Sequence, residues 1–139
     1  MDYQKILDTI HDEMSYRDVS GKVASYIPEL AKVDRKKFGM HVYCGDQQHF
    51  SFGDSDENFS IQSISKVFTL AMAMRIMGED LWDRLDVEPS GDPFNSLTQL
   101  EYESGIPRNP FINAGALVIS DILVDQLDDP KQELLDFVR

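Results

Sequence analysis

At 139 residues and 15.9 kDa, the chain is long enough for one domain with its own core and gives no ground for two. Apolar residues make up 42% of it and charged residues 27%, a globular composition without a disorder signature. Twenty-five acidic against 13 basic residues leave a formal charge of −12, a field that repels nucleic acid and anionic membranes and excludes both as expected partners.

Tyr3, Ile6, Leu7, Ile10 and Met14 follow the i, i+3, i+4, i+7 spacing of an amphipathic helix. The same opening, MDYQKILDTIHDEM, interleaves charges with its apolar residues and so lacks the unbroken apolar run of a secretory leader. DVSGKVASYIPEL then brings Gly21 and Pro28, a break followed by a short helix or loop that carries Tyr26. Residues 38–53 predict a hairpin, with Gly45-Asp46 as a two-residue turn. In that register residue 42 pairs with 49 and 41 with 50, which sets His41 and His49 on opposite faces. A metal shared among His41, His49, His11 and Cys44 is therefore not expected. The single cysteine, Cys44, has no internal disulfide partner and suits a reducing, cytoplasmic compartment.

DSDENFS is a polar loop, and a helix follows from 63 to 77. Val67, Phe68, Leu70, Ala71, Met74 and Met77 make it apolar over most of its circumference, which predicts burial. Gly78 is the expected stop. The longest mostly apolar stretch, VFTLAMAM, falls far short of the ~20 residues that span a bilayer. Residues 88–113 contain four of the six prolines and two of the eight glycines, a long irregular stretch of the kind that tends to carry function. NAGALVISDILVDQL returns to helix, and Asp129-Pro130 supplies an N-cap and first-turn pair for a last one. That helix reaches Arg139 directly after Phe137-Val138 with no C-cap, which reads as a chain stopping inside an element.

The chemistry centres on Ser63-Ile64-Ser65-Lys66, the one S-x-x-K in the sequence. Twelve serines and seven lysines in 139 positions give about 0.6 such matches by chance, so the spacing alone is poor evidence. Its context adds to it. Positions i and i+3 share a helix face, so Lys66 reaches Ser63 across one turn. A serine at a helix start also lies beside unpaired N–H groups and the positive dipole end, which favour a developing oxyanion. To act as a base, Lys66 has to be neutral. The plainer reading is an N-cap, Ser60 or Ser63, followed by a solvated lysine. No G-x-S-x-G elbow and no glycine-rich phosphate cradle are present.

Four blocks taken together resolve the ambiguity. GKVASYIPELAKVD (21–34), FSIQSISKVF (59–68), EPSG (88–91) with FNS (94–96), and NPFINAGALV (109–118) resemble, in order and spacing, the serine-dependent glutaminases. The resemblance implies the fold that this family shares with serine β-lactamases and DD-peptidases: α+β, an antiparallel sheet packed with helices, here incomplete. Residues 1–139 are then the N-terminal portion of a single glutaminase domain, with further site residues expected beyond Arg139.

By the same resemblance Ser63 occupies the nucleophile position and Lys66 that of the lysine which activates it. Tyr26 matches an active-site tyrosine, Gln62 a residue of the substrate pocket, and Asn113 an asparagine that contacts bound glutamine. Taken alone, Tyr26 would be loop packing and Asn113 a helix cap. The implied reaction is hydrolysis of L-glutamine to L-glutamate and ammonia through a glutamyl-serine ester. It needs no metal or organic cofactor, and homo-oligomerisation is expected by analogy. The S-D-N and K-T-G companions of penicillin-recognising enzymes are absent from the chain. Two other readings remain distinguishable by experiment: a β-lactam-recognising serine acylase, and a non-catalytic acidic interaction domain.

Overall fold

The computed structural model describes residues 1–15, 21–91, 93, 95–96 and 101–139. They fall into two units, Met1–Phe59 and Ser60–Arg139.

The first unit is helix α1 (Tyr3–Ser15) on a two-stranded antiparallel ribbon, β1 (Gly39–Tyr43) and β2 (His49–Gly53). Asp2 opens the helix by accepting from the Lys5 N–H at 3.1 Å, satisfying one of the donors a helix start leaves unpaired. Leu7 is buried, while the Tyr3 ring lies 5.5 Å from Phe50 and His11 4.1 Å from Phe52.

The ribbon corrects the expected register. Tyr43 pairs with His49 and His41 with Ser51. The turn spends one more residue than expected: Cys44 O accepts from Gln47 N–H and Cys44 N–H donates to Gln48 O, each at 3.0 Å, with Gln47 at φ +64°. A one-residue slip exchanges the faces of a strand. His41 and His49 therefore share a face, with Nε2 and Nδ1 3.1 Å apart. The apolar pattern favours this register, because it places Met40, Val42, Phe50 and Phe52 together, all half-buried. Among the described residues no three His, Cys, Asp or Glu side chains gather into a metal-binding group.

The second unit is helical. Helix α2 (Ser65–Met77) ends at Gly78, φ +57°, and passes into a 3-10 turn, Gly78–Asp83. Helix α3 (Asn113–Gln126) packs against α2. Helix α4 (Pro130–Val138) starts as expected, with the Asp129 carboxylate accepting from the Gln132 N–H at 3.0 Å. The core joins Met72 and Ala73 of α2, Leu81 and Leu85, and Ile119, Ile122 and Leu123 of α3. Each large side chain fully buried there contributes about 1.5–3 kcal/mol.

Burial of α2 covers one face only. Met72 and Ala73 are buried, but Val67, Met74 and Ile76 are exposed. Apolar residues surround the helix, whereas its neighbours α3, α4 and the 78–83 turn cover part of its circumference. No described helix is long and apolar enough to cross a membrane.

Candidate active site

Ser63 does not lie in α2 itself, as the sequence suggested, but in a 3-10 turn, Gln62–Ile64, that leads into it. The turn is reached through Gln62, whose φ of +47° is in the left-handed region that side chains seldom adopt. Two local bonds brace it: Gln62 Nε2 donates to Ser60 Oγ and Ser65 Oγ donates to Gln62 O, each at 2.8 Å. Neither Ser60 nor Ser63 caps a helix. The cap positions are Ile61 and Ile64, with no side-chain cap bond at either. Ile64 N–H donates to Ile61 O and Ser65 N–H to Gln62 O, so these two donors are already engaged. Ser63 is exposed.

Lys66, one turn further on, is half-buried and does not point into solvent. Its Nζ donates to Phe111 O and to Asn113 Oδ1, both at 2.8 Å. Two carbonyl-type acceptors at this distance fix a group that otherwise swings on a four-carbon stem. In the neutral amine they would take both N–H bonds and leave the lone pair pointing elsewhere.

Asn113 is thus not the cap of α3. It is the first helical residue, and its side-chain oxygen is turned to the lysine. The N-cap position is Ile112, with no side-chain cap bond. Ahead of the helix Asn109 forms a turn, its Oδ1 accepting from Phe111 N–H at 3.0 Å and Ile112 N–H at 3.1 Å. Asn109 Nδ2 donates to Glu88 O at 2.9 Å, and Glu88 N–H to Arg108 O at 2.8 Å, so the EPSG block is tied to the start of NPFINAGALV. Gly115 permits this closeness: a Cβ there would lie 2.0 Å from Asn109 O.

Beyond Asn113 a hollow of about 340 Å³ is lined by Asn95, Asn113, Ala116, Leu117 and Ser120. A larger one, about 450 Å³, opens between Met72, Ile76 and Phe137 and contains none of the candidate residues. The expected irregular stretch 88–113 lies partly outside the described residues, at 92, 94 and 97–100.

The structure therefore brings Lys66 and Asn113 together and sets Gln62 and Ser63 on the turn before them. Tyr26 belongs to the first unit, at a bend before the Leu30–Lys32 turn, with its side chain 77% exposed. Its role rests on the resemblance alone. Asn109 and the Phe111 carbonyl escaped the sequence reading. The Asn109-Pro110 pair carried a signal, since Asn-Pro favours turn initiation; a main-chain carbonyl carries none.

Known proteins resemble the chain over most of its length. A family model described as glutaminase matches residues 21–139. A glutaminase of Christiangramia forsetii is 94% identical over all 139 residues, which cover 46% of that protein. The solved structure of the probable glutaminase ybaS aligns with 96% of this chain and 44% of its own, at a TM-score of 0.85 and 34% identity. The structure of Mglu in its tris and glutamate form covers 96% of this chain and 29% of its own, at a TM-score of 0.79 and 36% identity. The chain spans about half the length of the curated relatives it matches. Its α+β architecture corresponds to part of the β-lactamase-like fold of these glutaminases.

Proposed function

Because the chain belongs to the glutaminase family, we propose that the protein hydrolyses the side-chain amide of L-glutamine, with Ser63 as nucleophile. The observation that carries the reading is the contact of Lys66 Nζ with Asn113 Oδ1 at 2.8 Å, which joins the S-x-x-K turn to the INAGA block across 47 positions of sequence. A lysine held beside a serine turn, on an asparagine that lines a hollow, is an arrangement suited to acyl transfer.

In this reading Lys66, as the neutral amine, takes the Ser63 hydroxyl proton as Oγ attacks the amide carbon of glutamine. Ser63's own N–H, at the positive end of α2, serves the oxyanion, because those of Ile64 and Ser65 are spent within the turn. The proton passes to the leaving nitrogen, ammonia departs, and a glutamyl ester remains on Ser63. Water then opens that ester to glutamate and restores the serine. Asn113 and Gln62 contact the substrate, and Tyr26 assists the proton transfers on the strength of its sequence block. Residues 1–139 act as the N-terminal portion of a single glutaminase domain, in a homo-oligomeric, cytoplasmic enzyme that uses no metal or organic cofactor. The lone Cys44 and the acidic surface support that compartment.

Ammonia release from L-glutamine by the full-length gene product tests the reading. Ser63→Ala is expected to abolish release, and Lys66→Ala to lower kcat by roughly 10²–10⁴-fold. A Ser63→Ala variant as active as wild type sinks the assignment. Covalent labelling of Ser63 by a β-lactam, without ammonia from glutamine, moves it to a penicillin-recognising acylase.

A further inference from the structure

We propose that Asn109 is a positioning residue for this reaction, one that aims Lys66 by gripping the peptide unit between Phe111 and Ile112. The inference rests on the reading of Lys66 as the base.

A peptide unit is planar, and in the trans form its C=O and N–H point in opposite directions. No described peptide bond is cis. The Phe111 carbonyl and the Ile112 N–H are two ends of one such unit. Asn109 Oδ1 accepts from the Ile112 N–H at 3.1 Å, and at the opposite end the Phe111 carbonyl accepts from Lys66 Nζ at 2.8 Å. Rotating this peptide to swing the carbonyl off the lysine breaks the bond to Asn109. The asparagine is itself immobilised: Oδ1 also takes the Phe111 N–H at 3.0 Å, Nδ2 is spent on Glu88 O at 2.9 Å, and its main-chain oxygen lies against Gly115 with no room for a Cβ between them. The segment before it is pinned in turn by Asp86 N–H on Pro107 O and Glu88 N–H on Arg108 O, both at 2.8 Å.

Lys66 Nζ thus depends on Asn109, through the plane of this peptide, for the setting of one of its acceptors. A reacting group displaced by about 1 Å can cost about a hundredfold in rate. Asn109 is not given contact with substrate here, so its loss acts on the chemical step and spares binding.

The test compares Asn109→Ala with Asn109→Asp in the full-length protein, by kinetics on L-glutamine and by crystal structure. Aspartate keeps the acceptor for both N–H groups, but in place of the donor to Glu88 O it sets a carboxylate oxygen that this carbonyl repels. Asn109→Ala is expected to lower kcat about a hundredfold with KM within about twofold, and to release Lys66 Nζ from Phe111 O. Asn109→Asp is expected to keep Nζ on that carbonyl and to retain more of kcat than the alanine variant does. An alanine variant with undiminished kcat overturns the proposal. So does Nζ remaining on Phe111 O in the alanine variant. If the alanine variant does not fold, Asn109→Ser, whose hydroxyl is too short to serve both N–H groups, is judged on the same two readouts. Lys66→Ala run beside them separates the two claims. Full activity in that variant defeats the base assignment, whereas the position of Nζ in the Asn109 variants decides the positioning claim independently of turnover.

Discussion

Gln62 stands at φ +47° one residue before the proposed nucleophile, where a side chain crowds its own backbone. Such a conformation costs on the order of 1–3 kcal/mol and persists only where surrounding bonds over-determine it. The bonds to Ser60 Oγ and from Ser65 Oγ do that here. Glycine would adopt the same φ without strain but would bring more freedom to the unfolded chain. Relief of the strain is offset by the freer unfolded chain and by loss of the bond to Ser60. Gln62→Gly is therefore expected to leave stability within about 1 kcal/mol while lowering ammonia release, since the side chain is lost from the proposed pocket. Denaturant midpoints and turnover of the same preparations check both halves. A variant destabilised by about 2 kcal/mol or more would show that the conformation carries little strain.

At the level of the element, the open end of the hairpin is closed by one carboxylate. Asp54 Oδ2 accepts from the Phe38 N–H at 2.9 Å, Oδ1 from Lys37 Nζ at 3.2 Å, and Asp54 N–H donates to Phe38 O at 2.8 Å. Lys37 also pairs with Glu57. The Phe38 N–H, followed by Lys37, holds the Asp54 carboxyl below the usual carboxylate range. Its pKa is thus lower folded than unfolded, so its contribution is complete above the ordinary value of about 3.9 and is lost as pH falls through the depressed one. The expected outcome is that wild type loses stability below about pH 4 more steeply than Asp54→Asn does. Denaturant midpoints of both proteins across that window measure it, and parallel curves would show that Asp54 is not linked to folding.

Across the whole molecule, a formal charge of −12 acts against compaction through self-repulsion. The described ion pairs that oppose it, among them Lys32–Glu29 and Arg84–Asp121, have solvent-exposed partners and contribute little, about 0–1 kcal/mol each. Screening the net repulsion therefore outweighs screening the pairs. Raising NaCl from about 0.01 to 0.1 M shortens the Debye length from about 30 to about 10 Å. The melting temperature is expected to rise over that range, as scanning calorimetry or circular dichroism would record. A fall would mean that attractive pairs dominate.

Local spacing and chemistry were enough for several features. The amphipathic spacing of residues 3–15, the Gly78 stop and the Asp129 cap were all legible, because each depends on residues within one or two turns of each other. The family was legible too, since four separated blocks are far more specific than one S-x-x-K. Register was harder to read. Gly45-Asp46 suggested a two-residue turn, but pairing the apolar faces of both strands required one residue more, and His41 and His49 changed sides. The exposed flank of α2 also escaped, because periodicity reports what a helix is able to bury and only its neighbours determine what it does bury. The setting of Lys66 was decided by tertiary structure alone. Its acceptors lie 45 and 47 positions away, one of them is a main-chain carbonyl common to every residue type, and the asparagine that aims that carbonyl acts through a peptide plane whose orientation exists only in the folded chain.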